Sequence, residues 1–138
     1  LFRSQRLFLH YADLDDLLAR ADIVSLHVPM TPDTRHLMDQ KALMRMKRNA
    51  YLINTSRGPV VDEAALVWAL KERVIAGAAL DVYEKEPEIH QGLFALENAL
   101  LIPHLASATT ETRTAMADLA ASNAIAVING QPPITPVP

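Results

Sequence analysis

Ala50-Tyr51-Leu52-Ile53-Asn54-Thr55-Ser56-Arg57-Gly58 reads as a short apolar strand that runs straight into a polar turn. The pattern recurs downstream. Ile75-Ala76-Gly77-Ala78-Ala79-Leu80 runs into Asp81, and Ala99-Leu100-Leu101-Ile102-Pro103 runs into His104. A further run, Ile23-Val24-Ser25-Leu26-His27-Val28, is stopped by Pro29. Strands with little internal polar alternation, separated by helical patterns, predict an α/β fold with a parallel sheet covered on both faces. In open sheets of this kind ligands sit beyond the carboxyl ends of the strands. Arg57, Asp81 and His104, each at or just past such an end, are therefore the first candidate site residues.

The intervening segments carry helix signals. Leu14, Leu17, Leu18 and Ala21 follow i, i+3, i+4, i+7 spacing with acids in front, which predicts a short amphipathic helix over 13–21. Asp39 can cap a helix bearing Ala42, Leu43 and Met46. Asp62 can cap another with Glu63 in its first turn, an inner stripe of Leu66, Ala69 and Leu70, and Lys71 and Arg73 near its end, where they favour the helix dipole. Gly77 and the alanines around it suit close packing of a helix on the sheet. A long helix is predicted from about Thr110 to Ile128, closed by Asn129-Gly130 and followed by an extended Pro-rich tail through Gln131-Pro132-Pro133, Pro136 and Pro138.

The 138 residues are half hydrophobic and a fifth charged, enough apolar content for a core. A net charge of −3 offers no basic surface for nucleic acid. The absence of cysteine excludes disulfides, thiolate metal sites and thiol nucleophiles, and is compatible with a cytoplasmic protein. No apolar run approaches the roughly 18 residues of a membrane span, and Leu1-Phe2-Arg3-Ser4-Gln5-Arg6 lacks the apolar core of a signal peptide. His10, His36 and His90 show no metal-ligand spacing and read as structural or exposed, and His27 as at most a lining residue of a cleft.

Four stretches carry a specific resemblance: Leu26-His27-Val28-Pro29-Met30-Thr31-Pro32-Asp33-Thr34, Asn54-Thr55-Ser56-Arg57-Gly58-Pro59-Val60-Val61-Asp62-Glu63, Ala79-Leu80-Asp81-Val82-Tyr83-Glu84-Lys85-Glu86-Pro87 and Pro103-His104-Leu105-Ala106-Ser107-Ala108-Thr109. In order and spacing they resemble the D-isomer-specific 2-hydroxyacid dehydrogenases. The run after Lys85 and the end of the chain look most like the glyoxylate/hydroxypyruvate reductases within that family. The resemblance implies a substrate-binding arginine at Arg57, a general acid/base histidine at His104 and its glutamate partner at Glu86. The chemistry suits these residue types. A guanidinium fork grips the planar carboxylate of a 2-oxo acid with two parallel hydrogen bonds, which lysine cannot do. A histidine beside a carboxylate can protonate the developing alkoxide. Taken without the resemblance, Arg57 reads as a surface or structural ion pair, Glu86 as part of a solvated loop with Glu84, Lys85 and Glu88, and His104 as either a site residue or a cap for backbone carbonyls.

The cofactor-side positions implied by the resemblance are Val28, Pro29, Thr34, Thr55, Ser56, Arg57, Asp81, His104, Ala106 and Ser107, with Asp81 at the nicotinamide carboxamide. Two departures stand out. Ala106 occupies a position that is often glycine in the family, and a positive φ there would cost alanine about 1 kcal/mol or more. The dinucleotide fingerprint G-x-G-x-x-G is absent, since Gly58, Gly77, Gly92 and Gly130 lie far apart in sequence. The expectation is therefore the carboxyl-terminal part of a doubly wound, Rossmann-type domain over 1–128, with 129–138 beginning a return to a separate substrate domain. The expected function is hydride transfer between NAD or NADP and a small 2-oxo acid, most like glyoxylate or hydroxypyruvate, in a parent that is a homodimer. The alternatives are another 2-hydroxyacid dehydrogenase such as a phosphoglycerate enzyme, a dinucleotide-sensing corepressor on the same scaffold, or an inactive truncated product. Without the glycine-loop strand beside it, Ile23–Val28 is expected to be an apolar edge that promotes self-association and leaves cofactor binding weak.

Overall fold

Each helix begins where a short polar side chain can take up a free amide. The structure, a computed structural model, describes residues 10–136, so the readings of the Leu1–Arg6 start and of Val137 and Pro138 lie outside it. Asp13 accepts from Asp16 N at 2.8 Å and opens α1 (Leu14–Arg20). Strand β1 (Ile23–Leu26) follows. Asp39 accepts from Ala42 N at 2.8 Å to open α2 (Gln40–Arg45), which leads to β2 (Tyr51–Asn54). A 3-10 turn (Gly58–Val60) precedes Asp62, whose carboxylate takes the Ala65 amide at 2.9 Å at the start of α3 (Glu63–Lys71). Next come β3 (Gly77–Leu80), a second 3-10 turn (Gln91–Leu93) and β4 (Ala99–Leu101). Each such cap is worth about 1 kcal/mol.

The four strands form one parallel sheet in the order β1-β2-β3-β4. Val24, Leu52, Ala78 and Ala99 stand in one row, and Leu26, Asn54, Leu80 and Leu101 in another. Both rows point into the core, which gathers Leu18 of α1, Leu43 of α2, and Leu66 and Leu70 of α3. Each of these leucines is at most 1% exposed, and burying one is worth about 1.5–3 kcal/mol.

Three expectations need correction. The sheet is not covered on both faces within this unit: Ile23, Tyr51 and Leu100, on the opposite face, are 62%, 53% and 62% exposed. An uninterrupted apolar strand reads the same whether its second face is covered by its own chain or by something else. In α1, only Leu18 of the expected stripe is buried, while Leu14 and Leu17 are exposed, because a helix of under two turns touches the core along a single line. Gly77 does not make room for a helix. A Cβ there would lie 2.9 Å from the Asn98 carbonyl oxygen and 3.1 Å from the Tyr51 ring, so its neighbours come from the approach to β4 and from β2.

The chain divides into two compact units, the first ending at Pro103 and the second beginning at His104. The second is built on α4 (Thr110–Ile128), capped by Thr109 through its hydrogen bond from Thr112 N. Gly130, with φ 72°, closes the helix in the left-handed conformation that glycine adopts freely. The Pro-rich tail, expected to be extended, is joined to α4 at Thr135. Asn123 Nδ2 donates to Thr135 Oγ1 at 3.0 Å, and Thr135 N donates to Asn123 Oδ1 at 3.1 Å.

Candidate active site

Asn54 ends β2 fully buried, and its amide builds the turn that presents Arg57. Oδ1 accepts from Ser56 N at 3.1 Å and from Ser56 Oγ at 2.9 Å, while Nδ2 donates to the Arg57 carbonyl at 3.0 Å. An asparagine serving both sides of a turn in this way replaces ladder bonds lost at the strand end. The turn lies close against the loop after β3, and a Cβ on Gly58 would fall 1.9 Å from the Tyr83 carbonyl carbon and oxygen. Only glycine fits. Arg57 is exposed, and its Nη1 donates to the Ser56 carbonyl at 2.7 Å. Among the described residues it makes no ion pair.

The loop after β1 is held from within. Thr34 Oγ1 donates to the Pro29 carbonyl at 2.7 Å, and Thr31 N donates to Thr34 Oγ1 at 2.8 Å. A cleft of about 620 Å³ lies beyond the ends of β1 and β2, lined by His27, Val28, Pro29, Met30, Thr55, Ser56 and Arg57. Five residues expected from sequence thus share one cleft: Val28, Pro29, Thr55, Ser56 and Arg57. Thr34 does not line it and instead braces its loop. His27 lines it, as read, with Nε2 2.8 Å from Ser25 Oγ, and Met30 joins it.

Asp81 and Glu86 follow β3 and lie outside this cleft. Asp81 is buried, and its amide donates to the Asn54 carbonyl at 2.9 Å. Glu86 is exposed and accepts from Tyr83 N through Oε1 at 3.0 Å. Its loop is pinned further back. Glu84 N donates to the buried Glu63 carboxylate at 2.8 Å, and Glu84 Oε1 sits 2.6 Å from His36 Nε2. His104, Ala106 and Ser107 belong to the second unit and are exposed there. The positive φ considered for Ala106 falls instead on His104, at 53°, so the alanine carries no such strain. A non-glycine residue held in that region costs about 1–3 kcal/mol, and such residues cluster at functional sites.

In the cleft Val28, Pro29 and Met30 offer apolar surface, Thr55 and Ser56 offer polar groups, and Arg57 offers a cation. With its four glycines dispersed, the chain supplies no glycine-rich cradle for a pyrophosphate.

Residues 3–106 match the D-isomer specific 2-hydroxyacid dehydrogenase, NAD binding domain. This chain belongs to that family. The glyoxylate reductase of Thermofilum pendens is 56% identical over 126 residues, covering 91% of this chain and 37% of that protein. The crystal structure of an NADPH-dependent glyoxylate/hydroxypyruvate reductase from Sinorhizobium meliloti, in complex with NADP and malonate, superposes with a TM-score of 0.86 at 40% identity, covering 90% of this chain and 39% of that one. A D-isomer specific 2-hydroxyacid dehydrogenase from Lactobacillus delbrueckii ssp. bulgaricus, in its NAD-complexed form, superposes at 0.88 with 35% identity, covering 96% of this chain and 44% of the other. The chain therefore spans about two fifths of the length of the dehydrogenases it matches. Its parallel sheet and helices are those of the family's Rossmann-type nucleotide domain. Among the described residues no helix is long and apolar enough to cross a membrane, and no cluster of side chains could hold a metal ion.

Asn54, Gly58, Glu63 and Tyr83 shape this site and carry no site role in the sequence reading. Only Asn54 had a usable local signal: an asparagine ending a strand two residues before a serine is an Asx-turn pattern. The others act across more than 18 positions of sequence.

Proposed function

We propose that these residues serve an NAD(P)H-dependent reductase of a small 2-oxo acid, glyoxylate or hydroxypyruvate. The observation that carries this reading is an exposed arginine, free of any ion pair among the described residues, at a cleft beyond the carboxyl ends of two parallel strands. A carboxylate is the natural partner of that guanidinium, and the bidentate geometry would orient the carbonyl beside it. When bound, the nicotinamide cofactor supplies the hydride. His104 donates its proton to the carbonyl oxygen as negative charge develops there, and Glu86 favours the imidazolium that holds this proton. Asp81 orients the carboxamide, while Val28, Pro29, Thr55, Ser56, Ala106 and Ser107 frame the cofactor and Thr34 braces the loop that carries Pro29 on the cofactor side. The names of the Thermofilum and Sinorhizobium relatives support the substrate class. We further propose a cytoplasmic homodimer as the parent assembly.

The test follows NADH and NADPH oxidation with glyoxylate and hydroxypyruvate. It compares the 138-residue chain with a chimera in which the matched 126 residues replace their counterparts in the Thermofilum pendens enzyme. The chimera is expected to turn over and the short chain to bind cofactor weakly. Turnover by the short chain would mean that another surface holds the pyrophosphate. A folded but silent chimera, beside an active Thermofilum parent, would overturn the reductase reading.

A further inference from the structure

Asn54 is fully buried and does not line the cleft that Ser56 and Arg57 line, yet its whole amide is spent on those two residues. Oδ1 accepts from Ser56 N at 3.1 Å and from Ser56 Oγ at 2.9 Å, and Nδ2 donates to the Arg57 carbonyl at 3.0 Å. The peptide that links Ser56 to Arg57 is therefore bracketed, with one anchored group before it and one after. The carbonyl of that same peptide takes the guanidinium, from Arg57 Nη1 at 2.7 Å. One buried side chain thus fixes the seat on which the guanidinium rests. With Nη1 engaged there, the edge formed by Nε and Nη2 is left for a carboxylate, which takes two parallel donors.

We infer that Asn54 is a positioning residue for the reduction: from inside the fold it sets the direction in which Arg57 offers its fork to the substrate carboxylate. This rests on the reductase reading above. Two features favour positioning over simple termination of a strand. To satisfy the free Ser56 amide an acceptor is enough, and aspartate would serve it as well. Only a primary amide adds the donor that Asn54 gives to the Arg57 carbonyl, beyond the seat of the guanidinium. The turn is also blocked on its far side, where Gly58 lies too close to the Tyr83 backbone for even a Cβ. Held from both sides, the turn passes its geometry on to Arg57 instead of relaxing. An exposed arginine otherwise surrenders rotamer freedom when it grips a ligand, and a guanidinium seated in advance has less to lose.

The experiment compares Asn54→Asp, Arg57→Lys and the double variant in the chimera. In the 138-residue chain, nitrogen NMR relaxation follows the motion of the Arg57 Nε–H with and without Asn54→Asp. For Asn54→Asp, kcat/KM for glyoxylate is expected to fall about 10-fold, while KM for the nicotinamide cofactor stays within about 2-fold. In the double variant the loss should not exceed that of Arg57→Lys alone, as for two groups acting through one. The Arg57 Nε–H should gain fast motion when the Asn54 donor is gone. Asn54→Ser, uncharged and too short to reach the Arg57 carbonyl, should reproduce this pattern and so separate the lost donor from the buried charge that aspartate brings. If the losses multiply, if cofactor KM rises together with that for glyoxylate, or if the guanidinium moves no more than in wild type, Asn54 serves the fold alone. The inference then fails while the reductase reading stands. Lower thermal stability with unchanged kcat/KM has the same meaning. A silent wild-type chimera beside an active Thermofilum parent would overturn the reductase reading, and the relaxation of Arg57 would then decide alone whether Asn54 holds the guanidinium.

Discussion

Glu63 and Glu84 hold each other reciprocally: Glu84 N donates to Glu63 Oε1 at 2.8 Å, and Glu63 N donates to Glu84 Oε2 at 3.3 Å. Glu63 is 4% exposed, while Glu84 Oε1 lies 2.6 Å from His36 Nε2 and 3.9 Å from Arg35 Nη2. The first turn of α3 is thereby fastened to the loop that carries Glu86. Removing the acceptor in Glu63→Ala leaves the Glu84 amide unsatisfied and should cost about 1–3 kcal/mol in urea unfolding. Glu63→Gln keeps an acceptor oxygen and should lose less. Equal stability of Glu63→Ala and wild type would remove this fastening from the account.

Gly58→Ala should be among the most damaging single changes. Its methyl would lie 1.9 Å from the Tyr83 backbone, and two main-chain segments have no rotamer with which to yield. Overpacking of this kind costs about 3 kcal/mol or more. Thermal unfolding should show it directly, with the Arg57 turn displaced in a crystal structure of the variant. A variant as stable as the parent would contradict the close approach.

Arg57→Lys should separate function from folding. The side chain is exposed, and its sole recorded bond is to the neighbouring Ser56 carbonyl, so thermal stability should hardly change. Loss of the bidentate grip on a carboxylate should lower kcat/KM of the chimera by about 10²-fold, the equivalent of a charged hydrogen bond. Undiminished kcat/KM would place the carboxylate elsewhere.

Burial pushes the Tyr83 phenol above its ordinary 10.0, with the carboxylates of Asp81, Glu63 and Glu86 acting in the same direction. The native state therefore keeps this proton to higher pH than the unfolded chain. Below pH 10 both states hold it, and the contribution is fully present; as pH rises through the native value, it is lost. Stability should fall more steeply above pH 10 in wild type than in Tyr83→Phe. Parallel pH profiles for the two in denaturant titrations would show that the phenol ionises alike in both states.

Among the described residues β1 forms the outer edge of the sheet, and the face bearing Ile23, Tyr51 and Leu100 is exposed. An apolar edge beside an apolar face is a template for pairing. The 138-residue chain should self-associate in sedimentation velocity, and Ile23→Lys should shift it toward the monomer. A wild-type monomer at tens of micromolar would sink this expectation.

The parts of the fold legible in the sequence are those decided by near neighbours along the chain. Asp39, Asp62 and the Asn129-Gly130 close can be read because a cap and its amide are a few residues apart. Arg57 was legible because a parallel sheet brings successive strand ends to one side, whereas Val28, Pro29, Thr55 and Ser56 came to the cleft through the family resemblance. Thr34 holds the loop that carries Pro29, its hydroxyl donating to the Pro29 carbonyl at 2.7 Å, a bond that sequence pattern alone does not specify.

By itself the sequence determined that strands alternate with helices, where each helix starts, and that polar groups collect past the strand ends, because these follow from periodicity and short-range hydrogen bonding. Only the tertiary structure decided that Ile23, Tyr51 and Leu100 are exposed on one face of the sheet, that Gly58 lies against Tyr83, that Glu63 is buried onto Glu84, and that the Tyr83 hydroxyl meets Ile102. Those contacts join residues 19 to 25 positions apart, and no local preference encodes them. They arise when the sheet register brings separate loops to the same depth, where sterics admit only glycine and desolvation requires every buried polar group to find a partner.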